Sequence, residues 1–261
     1  MLTVTSAADA APALPWLLRD PVRNTVPGAV LSGGPLPAAT RLLLARDGGG
    51  DVHGVAFLAP GRAWFVASGS PAGAAAIGAH LRDAGPLRAD GLDEDVEAFR
   101  CGGTVVTRTR LYALGELVPP RGVPGELSPV TAADRDIAVA WVREFGEETG
   151  TGGEGAEAAV DKRLAVPGRC WFWRVGGEPV SFLWLTVPFG GVVRLSAVCT
   201  PRELRGRGYA SACVAAASAH ALAGGARRCV LYTDLTNPLS NRIYTRLGYE
   251  PVADGGIRSF E

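Results

Sequence analysis

At 261 residues the chain exceeds the usual single-domain length of about 100 to 200 residues, so two domains are the starting expectation. Hydrophobic residues make up 47% and charged residues 20%, a balance that argues against wholesale disorder. The formal net charge is zero, which removes the long-range basic field that draws in nucleic acid or an anionic membrane and leaves a small molecule or a local protein group as the expected partner.

Positive charge is carried almost wholly by arginine, with Lys162 the only lysine. The five cysteines, Cys101, Cys170, Cys199, Cys213 and Cys229, are odd in number and widely spaced, so neither a disulfide framework nor a metal site is expected. They read as small buried hydrophobes in a reducing compartment. The N-terminus shows no basic stretch followed by an apolar core, and 208–226 is uncharged but too weakly apolar for a membrane span, so a cytoplasmic setting is expected.

From the N-terminus, apolar runs at 41–45, 52–59 and 63–68 are separated by turn-forming Gly and Pro clusters and read as an antiparallel meander. An Ala-rich helix follows at 71–83, then an acidic helix at 93–99 and a β-branched strand at 104–114. The segment 117–129, LVPPRGVPGELSP, carries four prolines and two glycines and opposes both helix and ladder bonding, which places a domain boundary near 122–125. The expected domains are 1–123 and 124–261.

The second half begins with a helix at 132–148, a Gly-rich loop and a helix at 154–164, followed by strands at 170–175 and 180–187 joined through Gly176-Gly177-Glu178 as a hairpin. A strand at 192–200, a helix at 207–223 and a strand at 228–234 imply a right-handed crossover between parallel neighbours. Ligands bind at the carboxyl ends of such strands, where loops and helix N-termini converge.

At that spot stands Thr200-Pro201-Arg202-Glu203-Leu204-Arg205-Gly206-Arg207-Gly208-Tyr209-Ala210-Ser211. Gly206 and Gly208 allow a tight turn and close backbone approach, and Ala210 keeps the first helical turn narrow, so backbone amides can face a phosphate with Arg205 or Arg207 alongside. Each charge-assisted hydrogen bond to phosphate is worth roughly 1.5 to 3 kcal/mol, which favours a diphosphate ligand. Taken alone, RGRG also reads as a Gly-rich turn with two solvated arginines; the GxGxxG and GK[ST] patterns are absent.

Next comes YTDLTNPLSNRIYTRLGY over 232–249, a helix at 238–247 with Asn237 as N-cap, Pro238 in the first turn and Gly248 as stop. Leu239, Ile243 and Leu247 are expected to face the core, with Tyr244 looking into the crevice. Glu144, Glu147 and Glu148 end the helix at 132–148 and are candidates for accepting a proton from an amine; they read equally as a solvated polar loop. His53, His80 and His220 have no nucleophile nearby in sequence and read as structural.

Arg205 to Ala210, with the strand before it, resembles the R/Q-x-x-G-x-G/A signature of the GNAT acyltransferase superfamily, and Asn237 to Tyr249 resembles its N-x-x-(S/A)-x-x-x-Y-x-x-x-G-(F/Y) segment. The resemblance implies an α/β (α+β) fold of two GNAT-like domains, each a mixed, mostly antiparallel sheet flanked by helices, the first degenerate. It implies acetyl-CoA or a small acyl-CoA as cosubstrate without a metal, and direct transfer to a primary amine on a small molecule or peptide.

Under the same resemblance, Arg205, Gly206, Arg207, Gly208, Tyr209, Ala210 and Ser211 hold the diphosphate, and pantetheine pairs with backbone near Val198 and Thr200. Asn237 and Asn241 lie by the coenzyme arm, and Tyr244 is the general acid for the departing thiolate, with Glu148 and Glu147 on the amine side. The N-terminal half is expected to close one side of the acceptor cleft, in a monomer or homodimer. The competing readings are a noncatalytic acyl-CoA-binding module and a scaffold in which RGRGYA is merely a turn; a polyamine, an amino acid, an antibiotic and a peptide amine all stay open as acceptor.

Overall fold

The computed structural model describes residues 1–36, 38–67, 69–150 and 152–261, among which lie twelve strands and eight α-helices. They form two compact units, one of Met1–Tyr112 with Tyr232–Asn241 and Pro251–Glu261, the other of Ala113–Leu231 with Arg242–Glu250. The Pro-rich segment 117–129 lies inside the second unit. Local composition marks where a chain turns, but not which distant strand a segment pairs with.

The first unit contains β1 (Thr3–Ser6), α1 (Leu14–Leu17), α2 (Thr25–Leu31), β2 (Arg41–Arg46), β3 (Val52–Leu58), β4 (Trp64–Ala67), α3 (Pro71–His80), β5 (Leu87–Leu92), α4 (Asp93–Phe99) and most of β6 (Thr104–Leu114). Strands β1 to β4 run antiparallel in sequence order, so the meander is present, and β4 pairs β5 in parallel through the α3 crossover. Ser68, at the strand-to-helix junction, lies outside the described residues. Alternating apolar residues of these strands meet the small-residue face of α3 in a core of Leu43, Ala56, Trp64, Val66, Ala74, Ile77, Val96 and Phe99. Phe260, from the far end of the chain, completes that core, because β12 (Tyr249–Phe260) pairs antiparallel with β5 from Gly255↔Leu92 to Phe260↔Leu87.

The second unit opens with β7 (Glu126–Pro129), an edge strand inside the Pro-rich segment; an edge position tolerates proline because no ladder donor is needed on its outer side. Thr131 and Asp134 then form a reciprocal capping box on the 3-10 turn Ala132–Asp134, which runs directly into α5 (Arg135–Glu148). After α6 (Ala156–Leu164), β8 (Cys170–Val175) and β9 (Glu178–Leu185) make the expected hairpin, with Val175 opposite Glu178 across two left-handed glycines. Then come β10 (Val192–Cys199), α7 (Tyr209–Ala223), β11 (Arg228–Asp234) and α8 (Pro238–Arg246), of which Tyr232–Asn241, the end of β11 and the start of α8, is counted with the first unit.

Within this unit the strand order is β7-β8-β9-β10-β11, antiparallel throughout except for the parallel β10–β11 pair that α7 connects. Helices α5 and α6 cover one face through Ala138, Val139, Val142 and Val160, which pack on Cys170, Phe172, Phe182 and Ala197. Cys213 and Cys229 are also buried, Cys199 is half-buried and Cys101 is exposed. Burial pushes the Cys170 and Cys229 thiols up to about 11 and the Cys213 thiol up to about 12, so all three stay protonated and inert at neutral pH. No helix of the described residues is long and apolar enough to cross a membrane.

Candidate active site

The parallel pairing of β10 with β11 runs only from Val192↔Arg228 to Leu195↔Leu231. On its other side β10 leaves register between Ser196 and Cys199, and at the centre of that irregularity Ala197 has φ 50°, the left-handed region, while 6% exposed. A buried alanine held there is costly and persists only where its surroundings over-determine it. The bulge turns the backbone of Ala197, Val198 and Cys199 away from a regular ladder. No glycine or asparagine marks the position, so the sequence carried no signal for it.

Just past the strand, Thr200 donates its hydroxyl to Ser181 Oγ at 3.0 Å, and Ser181 Oγ bonds the Cys199 carbonyl at 3.0 Å. Ser181 is completely buried. This relay fixes the end of β10, and it leaves the Thr200 backbone as the part of that residue able to meet a ligand.

The turn from Arg205 to Gly208 is built on two left-handed glycines, Gly206 at φ 78° and Gly208 at φ 82°, with Gly208 as the N-cap of α7. Tyr209 is buried and anchors the first turn, whereas Ala210 and Ser211 are half-buried beside it. The first N–H groups of a helix have no intrahelical partner, so those of Tyr209, Ala210 and Ser211 form a ready anion seat. Arg207 stays exposed and reaches only as far as the Glu203 carbonyl, at 3.4 Å.

Arg205 is fixed from two sides. Its Nε donates to the Thr200 carbonyl at 2.8 Å and its Nη2 to Glu148 Oε2 at 2.7 Å, while Arg202 Nε donates to Glu148 Oε1 at 3.0 Å. The Arg205 guanidinium, followed by that of Arg202, outweighs the cost of burial and holds the Glu148 carboxyl below its ordinary value. Both oxygens of Glu148 are thus engaged by arginine, which anchors Arg202 and Arg205 and makes the carboxylate a weaker proton acceptor than a free one. Glu147 is exposed and lines a separate open recess of about 280 Å³ with Arg143, Glu154 and Glu157. Trp141, Glu144, Phe145, Glu148, Cys199, Thr200, Pro201 and Arg205 together line a narrow cleft between the end of α5 and the end of β10.

On α8 the buried stripe is rotated from the expected one. Leu239 is 60% exposed, Ile243 is half-buried, and Tyr244 and Leu247 are the buried residues. Tyr244 packs edge-on against Tyr249 with ring centroids 6.1 Å apart, and burial raises its phenol above the ordinary range. Asn237 caps α8 by accepting from Ser240 N at 3.0 Å. Asn241 donates to the carbonyls of Asp234 and Asn237 at 2.8 and 2.7 Å and accepts from the Tyr112 hydroxyl at 3.0 Å. Both asparagines, expected beside the coenzyme arm, thus spend side-chain groups on holding the turn after β11. Among the described residues no cluster of three His, Cys, Asp or Glu has the arrangement to hold a metal ion.

The sequence profile of the Acetyltransferase (GNAT) family matches residues 137–249, which takes in α5, the bulged strand, the glycine turn and Tyr244. No curated protein matches the chain. Among solved structures, a GCN5-related N-acetyltransferase from Sphaerobacter thermophilus aligns over 99% of this chain and 95% of its own, at 16% identity and TM-score 0.70. A tandem GNAT protein from the clavulanic acid biosynthesis pathway aligns over 100% and 98%, at 16% identity and TM-score 0.62. A GCN5-related N-acetyltransferase from Kribbella flavida aligns over 79% and 86%, at 24% identity and TM-score 0.60. At these identities the three structures establish the fold.

Proposed function

Residues 137–249 being a domain of the Acetyltransferase (GNAT) family, we propose that the protein moves an acetyl or small acyl group from acyl-CoA directly to a primary amine. The observation that carries this reading is the join of a bulged, half-unpaired β10 to a helix N-terminus through Gly206 and Gly208. A diphosphate would take the amides of Tyr209 to Ser211 with Arg205 or Arg207 beside it, and pantetheine would lie along the backbone of Val198 and Thr200, whose ladder partners are missing.

The amine attacks the thioester carbonyl, the tetrahedral species collapses, and CoA leaves as a thiolate that takes a proton. Tyr244 is the proposed donor. Its burial keeps the phenol protonated at neutral pH, the form in which it can give a proton; the same burial weakens it as an acid, so transfer should accompany or follow departure of the thiolate. With Glu148 occupied by arginine, Glu144 in the cleft or a water chain is left to receive the amine's proton, and Glu147 stands farther out on the same helix end. The segment 1–123 is proposed as a degenerate GNAT-like half, its strand-to-helix junction before Pro71 lacking the Arg-Gly pair, and a cytoplasmic setting belongs to the same proposal.

The test is release of free CoA thiol from acetyl-CoA over a panel of amines, for the native protein and for Tyr244→Phe. Turnover should fall by about 10²- to 10⁴-fold in the variant with acetyl-CoA affinity unchanged. Unchanged turnover across pH would remove Tyr244 from its role, and acetyl-CoA binding without thiol release over the whole panel would leave a noncatalytic acyl-CoA-binding module.

A further inference from the structure

Ser218 lies on the buried face of α7 with Val214, Ala215, Ala217 and Ala221, where a hydroxyl is costly unless it is bonded. Its Oγ donates to the Val214 carbonyl, one turn back, at 2.7 Å. A serine hydroxyl has a single proton, and here that proton is spent on the carbonyl. In the 2.7 Å contact between Ser218 Oγ and the Tyr249 hydroxyl, the tyrosine therefore donates and the serine accepts. The Ser218 carbonyl accepts weakly from the Cys229 thiol at 3.7 Å, which ties β11 to the same point.

Tyr249 is itself closed to solvent, in a place where a phenylalanine would fill the same ring space without needing a partner. The two hydroxyls form a matched polar pair inside an apolar core. Such a pair does more to fix one arrangement than to stabilise the fold, because any displacement of the ring leaves a buried hydroxyl without its partner.

The backbone leading into Tyr249 is held as well. The Leu247 carbonyl accepts from Val118 N at 3.0 Å and the Gly248 carbonyl from Gly115 N at 2.9 Å. Gly248 stands at φ 91°, and a Cβ there would lie 1.8 Å from the Glu116 carbonyl oxygen, so the close approach requires glycine where α8 turns into β12. All of these residues belong to the second unit. The Tyr249 ring is thus fixed at its backbone and at its hydroxyl. The ring set edge-on against it, with centroids 6.1 Å apart and planes at 64°, is that of Tyr244. A phenol that gives up a proton must hold its oxygen within hydrogen-bond reach of the acceptor, so the tilt of the Tyr244 ring bears on rate more than on binding.

We infer that Tyr249, locked by Ser218, is a positioning residue: its fixed ring sets the tilt of Tyr244 and so the direction of the proposed proton donor. The inference rests on the acyltransferase reading in which Tyr244 protonates the CoA thiolate.

The test compares acetyl-CoA turnover, with the amine that the native protein uses fastest, for Tyr249→Phe, Ser218→Ala, Tyr244→Phe and their pairwise combinations. Tyr249→Phe keeps the ring and removes the donor; Ser218→Ala keeps ring and donor and removes the acceptor. Each should lower kcat about ten-fold, a fraction of the roughly hundred-fold that a misplacement of about 1 Å can cost, with KM for acetyl-CoA and for the amine within about two-fold of native. The combination of the two should be no slower than either alone, because both break one bond. In the Tyr244→Phe background, read at high protein concentration, neither should lower the residual rate further, since no donor is left to direct. Urea unfolding checks that each variant is folded, and if one is not, the other breaks the same bond and decides.

Native kcat in both Tyr249→Phe and Ser218→Ala, with Tyr244→Phe slow, overturns the positioning role and leaves Tyr244 as the acid. An undiminished fall when Tyr249→Phe is added to Tyr244→Phe also overturns it, since the loss then runs through something other than Tyr244. A native rate in Tyr244→Phe overturns the acid assignment and the part of Tyr249 with it, and so does the absence of thiol release by the native protein over the whole amine panel.

Discussion

Both oxygens of Glu148 are taken by guanidinium groups, and this decides what the residue can do. Its carboxyl is held low by Arg205 first, so the stabilisation it contributes is fully present above the ordinary glutamate value of about 4.3 and is lost as pH falls through the lowered folded value. Glu148 is largely shielded but Arg202 is 73% and Arg205 43% exposed, so the pairs are worth no more than about 1 kcal/mol each. Glu148→Gln should cost about that much at pH 7 and show less loss of stability on acidification below pH 4.5 than the native protein, measured by urea unfolding at a series of pH values. It should also weaken acetyl-CoA binding by releasing Arg205. The residues of the turn, Arg205 to Ser211, were legible in the sequence because their chemistry is local: glycine spacing, a helix start and adjacent arginines. The partner of Arg205 was not, since Glu148 is brought to it from 57 positions away by the packing of α5 against β10. A carboxylate reads the same in sequence whether it will be a base or a counter-ion.

Elements show the same division between local and distant causes. Helices α3 to α8 and the β8–β9 hairpin follow from caps, periodicity and a Gly-Gly turn, and they stand where the sequence put them to within a few residues, whereas the short α1 and α2 were not foreseen. Strand β1, strand β7 inside the Pro-rich segment, strand β5 and the long C-terminal β12 were missed, because their strand character depends on partners far away in the chain. The bulge at Ala197 was missed for another reason: alanine gives no hint of a left-handed backbone. The turn before α7 allows a graded check. A Cβ at Gly206 meets nothing within 4 Å, so Gly206→Ala pays only the left-handed penalty, about 1 kcal/mol. A Cβ at Gly208 also comes within 3.0 Å of Val123 Cγ2, so Gly208→Ala should cost more, about 2 kcal/mol, and should distort the helix start. Thermal unfolding should rank the two variants in that order, with acetyl-CoA affinity following the same ranking.

At the scale of the whole molecule, the first unit is discontinuous in sequence: its core of Leu43, Trp64, Ile77 and Phe99 is closed by Phe260, 3% exposed and packed edge-on against Phe99 with centroids 6.2 Å apart. Phe260→Ala should therefore destabilise it by about 3 to 5 kcal/mol, as removal of a buried aromatic ring generally does, and amide exchange should show the loss in β5 and α3. The return of the last strand to the first unit was not legible in the sequence, since nothing in residues 251–261 names β5 as a partner. The central proposal is that a single turn, Arg205 to Ser211, grips the diphosphate of an acyl-CoA. Calorimetric titration of the full chain with acetyl-CoA and with acetyl-pantetheine, which lacks the diphosphate, tests it most directly. One acetyl-CoA should bind per chain, and acetyl-pantetheine should bind at least about a hundred-fold more weakly, two charge-assisted hydrogen bonds' worth. No heat with acetyl-CoA, two sites per chain, or equal affinity for the two ligands would contradict the account.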